Sequence, residues 1–238
     1  MGALSHCIQK HPQLQNKEVK IKKERINMKK GSLEIVCGSM FSGKTEELMR
    51  RLKRAEYAKQ NVLTIKHQID VRKSCECIVS HSGSKREAFS FNGSLNCIET
   101  ILELAKNHDV IGFDEIQFFP AKTIDAIVAL VESGKRVIAA GLDLDFRGEP
   151  FTIMPTLLAI ADEVTKLKAI CIQCGQNAHH TQRIINGKPA KYNDPIVLVG
   201  AEECYEARCR NCFSIEKPLE ETTKITPSLK TKLDERNF

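Results

Sequence analysis

The chain has 238 residues, 42% hydrophobic and 28% charged, the balance of a globular protein with room for one sizeable core and a small annex. No apolar run approaches the roughly 20 residues that span a bilayer, and Met1–His11 lacks the apolar centre of a signal peptide, so a cytoplasmic protein with no membrane partner is expected. The net charge of +6 resides in residues 1–30, which hold eight Lys or Arg and two Glu; the rest holds 28 charges of each sign, which argues against a nucleic-acid-binding body.

Residues 1–30 read as a solvated, disordered extension rather than a nucleic-acid or membrane arm, with Met28 a candidate second start. Leu33–Val36 is a short apolar run and reads as a buried strand. It leads into Gly38, Ser39, Met40, Phe41, Ser42, Gly43, Lys44 and Thr45, a full match to the phosphate-loop pattern G-x-x-x-x-G-K-S/T. Helical spacing of Leu48, Leu52 and Ala55 then predicts a helix to about Lys59. Strand, loop and helix are the context the motif needs. The glycines let backbone N–H groups converge on phosphate oxygens, and the helix N-terminus adds its positive dipole end. Lys44 would reach the β- and γ-phosphates of a nucleotide, and the Thr45 hydroxyl would hold Mg2+.

Val62–Ile65 reads as the next strand, and His67–Gly83, with Asp70 and Arg72, as a loop over the nucleotide site. Ser94 caps a predicted helix to about Asn107. An apolar strand from Val110 ends in Asp114-Glu115, and a strand-terminal Asp opposite a phosphate loop positions Mg2+. Pro120 opens a helix to about Val131, and Val137–Ala140 is another strand. Residues 142–151 are neither strand nor helix; Phe146 and Phe151 either plug the core or wall a lid over a flat ring. A helix from about Pro155 to Glu163 closes the main unit. The expected fold is α/β, a P-loop NTPase-like parallel sheet with helices on both faces over residues 31–168.

Ten cysteines in an intracellular chain point to metal or isolated thiols rather than disulfides. Cys171 and Cys174 form one C-x-x-C pair and Cys209 and Cys212 another, 34 residues on. Together they would complete a closed, structural zinc site of four thiolates in an annex spanning residues 169–217. Gly175–Arg208 reads as a long lasso loop tied at its base by the metal, with a short strand at Ile196–Val199. Residues 218–238 read as a polar tail. Phosphate loop and acidic strand end also suit an ATPase motor or switch, and the paired cysteines with the basic tail suit a zinc-ribbon nucleic-acid module.

The run G-S-M-F-S-G-K-T, then D-E-I-Q-F-F, then L-D-x-D-F-R-G-E-P-F, then the paired C-x-x-C motifs resembles the zinc-containing type II thymidine kinases, from about Leu33 to Phe213. The resemblance implies transfer of the γ-phosphoryl of ATP to the 5′-hydroxyl of thymidine, with Mg2+ and a structural Zn2+. It implies that residues 38–45, with Asp70 and Arg72, bind ATP, that Asp114 serves Mg2+, and that Glu115 is the general base. Gln117, counted with the ATP-binding residues, and Phe118 line the nucleoside side. Leu142, Phe146 and Phe151 wall the thymine pocket. Thr181, Ile196, Val197, Leu198, Val199, Gly200 and Tyr205 belong to the loop that closes over the base. The resemblance also implies a homotetramer inhibited by thymidine triphosphate.

Overall fold

The computed structural model describes residues 30–68, 77–79, 85–91, 97–196 and 203–216. Asp70, Arg72, the helix cap at Ser94, residues 197–200 and both tails lie outside the described residues.

In chain order the elements of the main unit are β1 (Ser32–Cys37), α1 (Lys44–Tyr57), β2 (Val62–His67), β3 (Cys77–Val79), β4 (Lys85–Glu87), β5 (Phe89–Phe91), α2 (Cys97–Ala105), β6 (Val110–Asp114), α3 (Thr123–Glu132), β7 (Arg136–Gly141), α4 (Met154–Ile160) and β8 (Glu163–Lys166). Six of the strands form one parallel sheet in the order β5-β2-β6-β7-β1-β8. Alternation within the apolar strands sends each face to its own helices. Val36, Val110, Ile138 and Ala140 pack with Leu48, Leu52 and Ala55 of α1. Ile35, Ile111, Phe113, Val137 and Ala139 face Ile101 of α2, Ile127 and Leu130 of α3 and Leu157 of α4. The sheet is therefore covered on both sides, which is why its strands carry almost no polar alternation. The chain passes from β1 beyond β7 and β6 to reach β2, so the carboxyl ends of β1, β6 and β7 open together at one edge of the sheet. In open α/β sheets that edge is where ligands bind.

Three expectations are corrected here. The helix predicted to reach Glu163 stops at Ile160, where Ala161 turns extended. Asp162 then exchanges backbone and side-chain hydrogen bonds with Leu33, starting β8 on the free side of β1. Glu-Val-Thr-Lys at a half-solvated edge carries too little apolar signal to read as a strand. The loop predicted to begin at His67 instead continues β2 through His67, and Cys77–Val79 pairs antiparallel with Lys85–Glu87. Third, the stretch between the cysteine pairs is not one long loop. It contains β10 (Asn177–Ala178, paired to β9 at Ala169–Ile170), β11 (His180–Ile185), β12 (Lys188–Pro189) and β13 (Glu203–Arg208). β11 pairs antiparallel with both β12 and β13. His180, Thr181, Gln182 and Arg183 are all buried, and four polar residues in a row give no hydrophobic pattern to read.

No helix among the described residues is long and apolar enough to cross a membrane.

Candidate active site

The loop after β1 turns because Gly38 sits at φ 146°, a conformation L side chains rarely adopt. There is also no room for one: a Cβ would come within 2.4 Å of the Leu167 carbonyl oxygen. Gly43 then starts α1 at Lys44. Lys44 Nζ and Ser42 Oγ both donate to the Ser39 carbonyl, each at 2.8 Å, which closes the loop on itself. Thr45 Oγ1 donates to the Asp114 carboxylate at 3.3 and 3.2 Å. The first turn of α1 and the end of β6, 69 residues apart in sequence, thus share one oxygen-rich point. A hydroxyl and a carboxylate so placed fit a hard divalent cation such as Mg2+. Behind the loop, burial and then the Asp143 carboxylate push the Cys37 thiol up to about 11, so it remains protonated at neutral pH.

Glu115 follows Asp114 in a left-handed conformation, φ 53° and ψ 43°, a strained position for a non-glycine residue. Its Oε2 accepts from Gln117 Nε2 at 2.6 Å. Gln117 was counted with the ATP-binding residues, but it is fully buried, and its Oε1 accepts the Leu142 N–H at 3.0 Å.

One cavity of about 170 Å3 gathers many of the predicted residues, though not Gly38, Ser39, Ser42, Asp114 or Gln117. It is lined by Met40, Phe41, Gly43, Lys44, Thr45 and Glu115 and also by Phe118, Leu142, Phe146, Phe151, Thr181, Ile196 and Tyr205. Phe118 and Phe151 meet edge to face, centroids 5.6 Å apart at 87°. Two lining residues, Leu144 and Glu46, were missed by the sequence reading. The alternation of Leu142, Leu144 and Phe146 with the buried Asp143 and Asp145 was a legible signal. Arg183 was also missed, and nothing in its neighbours marks it. It is fully buried, its guanidinium lies 5.1 Å from the Phe146 ring centroid, and Nη1 donates to the Pro195 carbonyl at 2.5 Å. It thus fixes one wall of the cavity and the chain leading to Ile196.

The four cysteines converge, their sulfurs all within 4.8 Å of one another, and Cys174 Sγ lies 3.5 Å from Cys209 Sγ. Tetrahedral zinc, with bonds of about 2.3 Å, separates its sulfurs by roughly 3.8 Å, so the arrangement fits a closed four-thiolate site. Each pair sits in a tight turn: Gly175 N–H donates to the Cys171 carbonyl at 2.8 Å, and Phe213 N–H to that of Cys209 at 2.9 Å. Packed together, the thiols cannot all ionise. Burial opposes charge on Cys171, but surrounding backbone N–H groups hold it at about 6, while the hydrogen bonds that the Cys212 thiol donates to Cys209 and Cys174 push Cys212 up to about 12. A bound cation would resolve that conflict.

The thymidine kinase family model matches residues 31–213, from the first strand to just past the last cysteine. The chain belongs to the thymidine kinase family. A thymidine kinase of Coprothermobacter proteolyticus is 57% identical over 180 residues, covering 75% of this chain and 88% of that one. Among solved structures, a DNA replication initiation factor is similar at a TM-score of 0.38 and 13% identity, and the AMPPCP-bound DnaA of Aquifex aeolicus at 0.36 and 14%. Each alignment covers 68% of this chain and 48% of the other.

Proposed function

We propose that the protein phosphorylates thymidine, moving the γ-phosphoryl group of ATP to the 5′-hydroxyl. The observation that carries this reading is the shared cavity, lined both by the phosphate loop with Glu115 and by the aromatic side chains of Phe118, Phe146, Phe151 and Tyr205, which suit a flat base. The name of the Coprothermobacter relative supports the choice of nucleoside. Loop N–H groups and the N-terminus of α1 receive the ATP phosphates, and Lys44 neutralises charge on the β- and γ-groups. Thr45 and Asp114 would hold Mg2+, which supplies charge neutralisation and orients the phosphates. Glu115 takes the 5′-hydroxyl proton as the sugar oxygen bonds to the γ-phosphorus. The bond from that phosphorus to the β,γ-bridging oxygen breaks, and ADP leaves. Phosphoryl transfer asks little of the protein beyond such positioning and charge placement. Leu142, Phe146, Phe151 and Tyr205 enclose the base, the zinc site holds β13 in place, and feedback inhibition by thymidine triphosphate and a homotetramer complete the proposal.

The decisive experiment offers γ-labelled ATP and Mg2+ with an equal mixture of thymidine, deoxycytidine, deoxyadenosine and deoxyguanosine. Label in thymidine monophosphate alone is expected. Label spread across several monophosphates would sink the pocket argument, and label released only as inorganic phosphate would sink the kinase.

A further inference from the structure

Gln117 connects the proposed base to Leu142, a lining residue of the same cavity outside the phosphate loop. Gln117 Nε2 donates to Glu115 Oε2 at 2.6 Å, and Gln117 Oε1 accepts the Leu142 N–H at 3.0 Å. The amide orientation is not arbitrary. A backbone N–H can only be met by the amide oxygen, so the NH2 group must face the carboxylate. The side chain has no freedom to leave, being fully buried. A Cβ at Gly141 would fall 2.6 Å from Gln117 Oε1, so the residue before Leu142 makes room for the amide. The Gln117 backbone is held as well, its carbonyl accepting from Thr152 Oγ1 at 2.5 Å.

We infer that Gln117 is a positioning residue that sets the orientation of the Glu115 carboxylate from the wall of the nucleoside pocket, rather than a ligand of ATP. Leu142 and Glu115 both line the cavity, and Gln117 lies behind it, bonded to each. Glu115 stands on a strained, left-handed backbone, so its side chain needs a second fixed point to stay aimed. Because that point is tied to the first residue after β7, displacement of Leu142 by a poorly fitting base would disturb the carboxylate. Base fit is thereby coupled to turnover, through two hydrogen bonds. This inference rests on the reading of Glu115 as the base in a nucleoside kinase.

The test uses Gln117→Leu, Gln117→Glu, Glu115→Gln and the double variant Glu115→Gln/Gln117→Leu in the full chain, with steady-state kinetics and melting temperatures. Gln117→Leu is expected to lower kcat about 10- to 100-fold, the loss a small misplacement of a catalytic group produces. Its KM for ATP should stay within about threefold, since uniform binding of the nucleotide is not touched. In the Glu115→Gln background the same change should cost nothing further, because residues acting through one group are not additive. Gln117→Glu keeps the acceptor for Leu142 and covers the case in which the leucine variant does not fold. It sets two carboxyl groups side by side, which should move the acid limb of the kcat profile to higher pH. A lower melting temperature with unchanged kcat per folded molecule would make Gln117 merely structural and overturn the inference. So would a large rise in the KM for ATP, or an equal loss in both backgrounds. Absence of thymidine phosphorylation by the unmodified protein would instead overturn the kinase reading, and the inference with it.

Discussion

The Met40 N–H donates to the Thr181 hydroxyl at 3.0 Å, across 141 residues of chain. Met40 is the middle of the phosphate loop, and Thr181 is the second residue of β11. The pairing of β11 with β13 sets Thr181 opposite Ala207, two residues before Cys209. The cysteine cluster, the base pocket and the phosphate loop are therefore one mechanical unit.

Thr181→Val removes the acceptor while keeping the shape, leaving a loop N–H without its partner. A loss of stability of about 1 kcal/mol is expected. KM should rise several-fold for both ATP and thymidine, because the loop and the pocket wall loosen together; Thr181→Ser should restore both. Kinetics of the valine variant matching those of the parent would show that the two parts are held by other contacts.

Glu115→Gln preserves size and removes the proton acceptor. Turnover should fall about 10²- to 10⁴-fold, with nucleotide affinity retained when measured by calorimetry. Lys44→Ala, by contrast, should weaken binding and turnover together, since its charge acts on the phosphates in both states. Equal effects of the two variants on ATP affinity would contradict the division of roles.

Metal analysis of the purified chain should give one zinc per protomer. Chelation, or Cys212→Ser, should lower the melting temperature and raise the KM for thymidine more than that for ATP, because Tyr205 and Thr181 belong to strands that lead to or pair near the cysteines. Zinc-free protein of full stability and activity would remove the metal from the account.

Acid stability should depend on Glu47. Hydrogen bonds from Arg50, against a burial penalty, and then from Arg51 lower its carboxyl from 4.5 to about 2. A folded value below the unfolded one means that the stabilisation is complete above about 4.5 and lost as pH falls toward 2. Denaturant titrations of Glu47→Gln should show a smaller decline over that window than the parent shows. The pair with Arg50 is exposed to solvent and contributes little, so the difference rests mainly on Arg51, which also reaches Glu34 and Thr165 inside the fold.

How far the chain could be read depends on how local the chemistry is. Gly38, Lys44 and Thr45 were legible because a phosphate loop is built from adjacent residues, and its glycines and charges stand in a fixed pattern. Asp114 and Glu115 were legible because an apolar strand ending in acid is an unusual junction. Strands β5 and β8 were not, since three or four residues at a sheet edge are defined by their neighbour and not by their own pattern. The place of Gln117 was implied by the family resemblance and by no pattern in its neighbours, and its side chain lies inside the fold.

By itself the sequence determined the α/β order, the phosphate loop and the two cysteine pairs, because each depends on backbone conformation or apolar periodicity within a few residues. Only the tertiary structure decided which groups stand behind those motifs: Gln117 between Glu115 and Leu142, Thr181 on the loop at Met40, Arg183 beneath Phe146. These are buried polar contacts. Desolvation makes such a group depend on one fitting partner, and the partner can lie anywhere in the chain, so its position exists only once the chain has folded.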